Sequence, residues 1–263
     1  MADRYTSQIA LVLDARLDDV GEVVRAAVDA GDLDRAAPVR GEGALAQEVN
    51  WGGRMQKGVV RQLSEDGEVL LRTETYLGSD GYELGMQRQA QLLQALSRQL
   101  RGRVTGLRDL SARCARDLAW MNRVAIGAVE SADAIAVASQ GEGTWWVHTH
   151  GAARFDVPDL ELYGLIAGDV PAAEAALRHV HEQLLASGIT QDLSLPDGTP
   201  IYLVPVLEAW RHVSLDWPGV GRAGQNRGPG LDGPRATLSV LHQPRLGRYR
   251  KDLDGVLSAL RTA

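Results

Sequence analysis

Apolar positions in the first part of the chain follow two periods, one typical of strands and one of helices. Residues 8–13 form a short apolar run, which is typical of a buried strand, and residues 17–28 carry apolar side chains at helical spacing. Asp66-Gly67 lies between two strand-like runs and favours a hairpin turn. The predicted elements are strands at 8–13, 59–63 and 68–76, and helices at 17–28 and 84–100.

The second part of the chain shows the same two periods. Leu110, Cys114 and Leu118 lie at helical spacing and predict a long helix over residues 107–124. Pro171 in a first turn and Gly188 after a last turn predict a helix over residues 171–185. The remaining predicted elements are strands at 134–138, 145–150, 198–204 and 236–241, and helices at 205–212 and 251–260.

Two glycine-containing segments interrupt these elements. Residues 101–106 break the periodicity and predict a boundary between an N-terminal subdomain, 1–103, and a C-terminal subdomain, 104–263. Residues 216–234 are rich in Gly and Pro and predict a loop. Its G-x-G-x-x-G spacing, from Gly219 onward, lacks the preceding strand and following helix of a dinucleotide site. Strands and helices mix without strict alternation, so we predict an α+β fold of mainly antiparallel sheets with packed helices, in two loosely similar halves.

Composition and charge narrow the class of protein. A hydrophobic content of 44% and a charged content of 24% are ordinary for a globular protein. The net charge of −6 disfavours general binding to nucleic acid or to an anionic membrane, because both require a basic surface. No apolar run approaches the roughly 20 residues of a membrane span. Lys57 and Lys251 are the only lysines, a bias typical of a GC-rich bacterial genome. We therefore expect a bacterial cytoplasmic protein that binds neither nucleic acid nor membrane.

Residues 145–161 hold the highest concentration of chemically active side chains. Residues 145–150 read as a strand, on which alternate side chains share a face. Trp146, His148 and His150 are therefore expected on one face, and their neighbours on the other, with only one of the two adjacent tryptophans deeply buried. The candidate binding residues are Trp146, His148, His150, Arg154, Asp156, Asp159 and Glu161.

The two histidines allow two interpretations. His148 and His150, completed by a nearby carboxylate, could bind a divalent metal such as zinc or manganese and support a metal-dependent hydrolase. Alternatively they anchor the turn through hydrogen bonds, and no cofactor is needed. Arg154 favours the second interpretation, because a cation beside a metal position opposes a divalent ion. His179 and His181 share the spacing but lie on a predicted helix, where they point roughly 200° apart.

A third interpretation is a small-anion or nucleotide binder. Arg154 and the glycine-rich loop, with Arg222, Arg227 and Arg235, would supply the cations for such a site. No P-loop, nucleophile elbow, His-Glu-x-x-His or kinase motif is present in the sequence. The sequence therefore carries no complete catalytic motif.

The segment from His148 to Glu161 resembles a group of uncharacterised bacterial families. Their members share a His-Thr-His-Gly turn, then an arginine, then an Asp/Glu-Leu-Glu step; Ala152 stands where those families have leucine. Some relatives are similar to conflict-system or toxin-immunity proteins, which bind a partner rather than catalyse a reaction. The resemblance thus implies an immunity-like binding protein with a protein partner, and this is our leading hypothesis.

Overall fold

The structure, a computed structural model, describes residues 6–53, 55–77, 81–188, 192–221, 233–242, 250–252 and 256. The chain divides into two compact units, Met1–Glu130 and Ser131–Ala263. Each described unit carries one seven-stranded sheet and packed helices, and nearly all strand pairs are antiparallel. The predicted α+β class, with antiparallel sheets and two halves, is confirmed.

The first unit is built on a sheet with the strand order β2-β3-β4-β5-β1-β6-β7. A short 3-10 helix at Gly43–Leu45 precedes β3. The elements are β1 (Ser7–Leu13), α1 (Val20–Asp29), β2 (Arg35–Pro38), β3 (Ala46–Trp51), β4 (Gln56–Glu65), β5 (Glu68–Thr75), α2 (Tyr82–Gln99), β6 (Val104–Asp109), β7 (Cys114–Arg116) and α3 (Leu118–Ala125).

Both long helices of the first unit pack on the same face of its sheet. The side chain of Gln62 on β4 bonds the backbone of Leu17 just before α1, and Gln89 of α2 bonds Ser7 of β1. The predicted hairpin is confirmed between β4 and β5. Asp66 and Gly67 both have positive φ, at 49° and 82°, as a two-residue hairpin turn requires.

The helix predicted over residues 107–124 is wrong. This segment forms strand β6, a turn and strand β7 before α3 begins at Leu118. Asp109 accepts a hydrogen bond from the amide of Ala112, and Arg113 has a φ of 55°, so the chain reverses where the helix was expected. Because β6 pairs with β1, the boundary predicted at 103/104 falls inside the first unit.

The second unit is built on a sheet with the order β11-β12-β13-β10-β9-β8, and β14 pairs with β13. Only the β10–β13 pair is parallel among its described strand pairs. Short 3-10 helices lie at Ala152–Phe155 and Ala167–Asp169. The elements are α4 (Ser131–Ala134), β8 (Ala136–Glu142), β9 (Thr144–His150), β10 (Asp159–Leu165), α5 (Val170–Ser187), β11 (Leu193–Ser194), β12 (Pro200–Pro205), α6 (Val206–Ala209), β13 (Arg235–His242) and β14 (Arg250–Asp252).

Helix α5 covers one face of this sheet, where it packs against β8, β9 and β10. Its buried residues Leu177, Val180 and Leu184 form the core on that side. A closing helix was predicted at 251–260, but residues 251 and 252 belong to strand β14. Val256 is helical and buried. The other residues of the predicted helix lie outside the described residues. The predicted loop at 216–234 is described only at 216–221 and 233–234.

Candidate functional site

Three aromatic rings form a row on the sheet face opposite α5. The rings of Trp146 and His148 stack with centroids 3.6 Å apart, and the rings of His148 and His150 meet edge-on at 4.8 Å. The predicted sharing of one face by these three side chains is therefore confirmed. Trp146 is 6% exposed while Trp145 is half-buried, so only one of the two tryptophans is deeply buried, as expected.

Glu161 is the acceptor at the centre of this face. It lies on β10 opposite His148 and is fully buried. One carboxylate oxygen, Oε2, accepts hydrogen bonds from Trp146 Nε1 at 2.9 Å and from the hydroxyl of Tyr163 at 2.6 Å. The other oxygen, Oε1, accepts from Nε of Arg235, which is also buried. A buried carboxylate is thus held by an ion pair and two neutral donors, which offset the cost of burying its charge.

A further tryptophan extends this cluster. Trp210, just after α6, donates its indole N–H to the hydroxyl of Tyr163 at 3.0 Å. Trp146, Tyr163, Val206 and Trp210 form one apolar cluster, with Val213, Trp217 and Val220 packed against it. The chain after β12 therefore covers the face that carries the histidines.

Asp159, Thr149 and His181 form a second buried group. The hydroxyl of Thr149 lies 3.2 Å from a carboxylate oxygen of Asp159 and 2.8 Å from Nε2 of His181 on α5. The amide of Ala152 also donates to Asp159, at 3.1 Å. Arg235 donates to the backbone carbonyl of Thr149 at 3.2 Å and approaches Asp159 at 3.8 Å. These contacts join the start of β10, the end of β9 and helix α5.

Burial shifts the pKa of both ionisable groups in this second set. It raises the pKa of Asp159 to about 6, although Arg235 and the neighbouring donors act in the opposite direction. It lowers the pKa of His181 to about 3, and the charge of Arg235 adds to that effect. His181 is therefore neutral near pH 7 and serves as a hydrogen-bonding group of the core.

The turn between β9 and β10 separates the other two candidate residues. Arg154 is 2% exposed, donates to the carbonyl of Ala134 at 2.7 Å and lies 5.2 Å from the ring of Phe155. Asp156 follows with a φ of 60° and is exposed. Arg154 thus fastens the turn to α4, whereas Asp156 faces the surface.

The structure brings most of the predicted site residues together, but in the interior. Trp146, His148, His150, Arg154, Asp159 and Glu161 are all buried, and only Asp156 is exposed. Over the residues that the structure describes, no group of three His, Cys, Asp or Glu side chains could hold a metal ion.

An apolar cleft of about 560 Å³ lies beside the polar cluster. The turn before β10, the end of β12, helix α6 and the start of β13 all contribute to it. Its lining residues are Asp156, Pro158, Leu203, Pro205, Val206, Leu207, Trp210, Gly233, Pro234, Arg235 and Ala236. A volume of this size is within the range of about 300–1,000 Å³ that is usual for ligand pockets.

Glu161 connects the motif to two walls of this cleft. It bonds Arg235 directly and reaches Trp210 through the hydroxyl of Tyr163. Both Arg235 and Trp210 line the cleft, as do Asp156 and Pro158 from the turn. Residues 148–161, which carry the sequence motif, therefore hold Arg235 and Trp210 in place in the cleft walls through buried hydrogen bonds.

Three residues of this arrangement were not predicted from the sequence: Tyr163, Trp210 and Leu207. His181 was considered only as one of two histidines on a predicted helix. Tyr163 could have been found, because it lies two residues after Glu161 on the same strand and so shares its face. His181 carried a weak signal, since residues two apart on a helix point about 200° apart and His179 was the one expected to face solvent. Trp210 and Leu207 lie far along the chain and are brought to the site only by β12 pairing with β13.

Fold and site together define an α+β protein of two units, with a buried polar cluster and an adjoining apolar cleft in the second. Comparison of the chain with protein-family models, curated proteins and solved structures gives no match. Among the described residues, no helix combines the length and apolar character that crossing a bilayer requires.

Proposed function

We propose that the protein is a non-enzymatic bacterial cytoplasmic binding protein whose second unit receives an apolar part of a partner protein in the cleft. The supporting observation is the connection of Glu161 to Arg235 and, through Tyr163, to Trp210. A buried network that fixes two walls of a cleft pre-organises it, which lowers the entropy lost on binding. The resemblance of residues 148–161 to families with immunity-like relatives favours a protein partner.

The exposed rim of the cleft suits recognition of a protein. Leu207 is 64% exposed although it is a large apolar residue, and Trp210 stands beside it. Tryptophan and aliphatic anchors surrounded by less apolar surface are typical of interface cores. Asp156 adds a negative charge at the rim of the cleft. The best fit would therefore be an apolar side chain of the partner that has a basic residue next to it.

The same geometry disfavours the other two functions. The imidazoles are 5% exposed, and the carboxylate of Glu161 already accepts three hydrogen bonds, so a substrate would have to displace buried contacts. Arg154 and Arg235 are likewise buried and engaged with protein atoms, which reduces their value for anion binding. No observation favours hydrolysis or anion binding over partner binding.

The proposal is tested by capture from a lysate of the source bacterium with three immobilised proteins. Wild type is compared with Leu207→Asp and with the control Leu215→Asp, which makes the same change at a residue 57% exposed that does not line the cleft. We expect a protein that wild type and Leu215→Asp retain and Leu207→Asp loses. Equal retention by Leu207→Asp, or no retained protein, would contradict the proposal.

Metal analysis of protein purified without a histidine tag tests the hydrolase alternative. On our proposal, zinc and manganese are far below one ion per chain in wild type, His148→Ala and His150→Ala alike. One ion per chain that both variants lose would favour the metal-dependent hydrolase instead, with His148 and His150 as ligands.

A further inference from the structure

The edges of the two sheets differ in how well they are protected. An edge strand presents unpaired backbone N–H and C=O groups, and natural proteins guard such edges with short strands, prolines or charges. Strands β2, β7, β11 and β14 have four, three, two and three residues. β2 also ends in Pro38, and β7 carries Arg116. These four edges are therefore guarded.

Strand β8 lacks these protections. It spans seven residues, Ala136–Glu142, and pairs along its whole length with β9. It contains no proline, and Glu142 at its end is its one charged residue. Among the described residues, no backbone hydrogen bond from another element reaches its outer edge. An edge this long and this neutral is suited to pairing with another strand.

We propose that the outer edge of β8 pairs, antiparallel and about a two-fold axis at Ser139, with the β8 edge of a second copy of this chain. In this register Ser139 lies opposite Ser139 of the other copy, and Ala138 lies opposite Gln140. Val137 lies opposite Gly141, whose missing side chain leaves room for the branched one. Glu142 lies opposite Ala136, so the two Glu142 carboxylates of the dimer do not face each other.

In this register no like charges meet and the branched Val137 faces a residue without a side chain, and this fit of the strand to itself favours a second copy over an unrelated strand. A two-fold interface places the same surface on both partners, and this register satisfies that condition. One strand pair buries less area than the roughly 1,200 Å² of a stable interface. The dimer is therefore weak, with dissociation on the order of micromolar concentration.

Analytical ultracentrifugation over a range of concentrations tests self-pairing. Wild type sediments as a concentration-dependent dimer. Ser139→Lys places two lysines opposite each other and weakens dimerisation at least about tenfold. The control Ser64→Lys adds the same charge to an exposed serine of β4 and leaves the dimer unchanged. A wild type that stays monomeric at all concentrations, or a Ser139→Lys dimer as strong as wild type, overturns the proposal.

The register itself is tested by opposite charges. An equimolar mixture of Ser139→Lys and Ser139→Glu dimerises at least as strongly as wild type, whereas each variant alone does not. If neither variant folds, hydrogen exchange of wild type decides: amides of β8 are slower to exchange at high than at low protein concentration. A mixture that stays monomeric contradicts the register, and β8 protection that appears only when a different protein is added overturns self-pairing.

Discussion

Glu161 is the residue on which the candidate site depends most. Its carboxylate is fully buried, and it joins Arg235, Trp146 and Tyr163 in one group. Removing one member of a buried ion pair leaves an uncompensated charge, which is far more costly than losing a surface pair. The stability of the second unit and the shape of the cleft therefore depend on this one side chain.

Glu161→Gln is expected to lower the free energy of unfolding by about 3–5 kcal/mol, because Arg235 stays buried without its closest carboxylate. The matched control is Glu68→Gln, which removes a carboxylate paired with Arg108 at the surface. The control should cost less than about 1 kcal/mol. Urea unfolding of both variants measures the difference. Similar small costs would show that the buried pair contributes little.

Two buried groups give the protein opposing responses to acid. The pKa of Asp159 is raised from 3.8 to about 6, so the folded state binds its proton first, and this group adds stability as the pH falls from about 7 towards 4. The pKa of His181 is lowered from 6.5 to about 3, so the unfolded state binds its proton first, and stability is lost as the pH falls below 6.5. Between pH 6.5 and 4 the two effects largely offset each other.

Single substitutions should reveal these opposing effects. Asp159→Asn removes the gain, so this variant should lose stability more steeply than wild type between pH 6.5 and 4, by on the order of 2 kcal/mol. His181→Gln removes the loss of stability that His181 causes in acid. The free energy of unfolding of this variant should therefore rise, relative to wild type, as the pH falls from 6.5 to 4. Urea unfolding at half-unit pH steps measures both slopes. Parallel profiles for wild type and both variants would contradict this assignment.

Part of the site could be predicted from single residues. Alternation along β9 correctly placed Trp146, His148 and His150 on one face. It did not predict that this face is covered, because the covering residues Trp210 and Trp217 follow by sixty or more positions and no local pattern links them. The sequence offered the histidines as metal ligands or as anchors of the turn and did not indicate their burial, and the structure leaves each of them only 5% exposed.

At the scale of elements, the second unit depends on close packing of residues 206–221 over β9 and β10. Gly164 on β10 and Gly219 leave room for aromatic rings: a Cβ would lie 2.5 Å from Trp217 at the first and 2.2 Å from Trp146 at the second. Both glycines also have positive φ, at 71° and 80°. The sequence around Gly219 therefore serves packing against an indole.

Gly219→Ala should be destabilising for two reasons, backbone strain and overlap with Trp146. Gly198→Ala is the matched control, because its φ of 84° is similar and nothing lies near its Cβ position. The control should cost about 1–2 kcal/mol from backbone strain alone. Gly219→Ala should cost a further 1–3 kcal/mol or so through overpacking. Thermal unfolding compares the two, and equal costs would show that the segment does not press on Trp146.

Element prediction succeeded where one local signal dominated. Asp66-Gly67 predicted the β4–β5 hairpin, and Pro171 with Gly188 predicted α5 to within about two residues. The helix predicted over 107–124 failed because Leu107, Leu110 and Cys114 satisfy a helical period by chance. Pairing of β6 with β1 is a long-range interaction, and it overrides that local pattern.

At the scale of the molecule, the two units share an architecture but differ in chemistry. The buried polar groups of the first unit are mostly neutral amides and hydroxyls, such as Gln62, Thr73 and Gln89. The second unit buries charged groups, Asp159, Glu161 and Arg235, directly behind the cleft. Charged groups are costly to bury, so this concentration is a further reason to place the proposed binding site in the second unit.

On our proposal the cleft, rather than the polar cluster, is the surface that contacts a partner. Photo-crosslinking in cells tests it most directly, with benzoylphenylalanine placed at position 207 in one strain and at position 215 in another. We expect a discrete crosslinked product of higher mass, containing a different protein, from position 207 and none from position 215. No product at 207, or the same product from both positions, would contradict it.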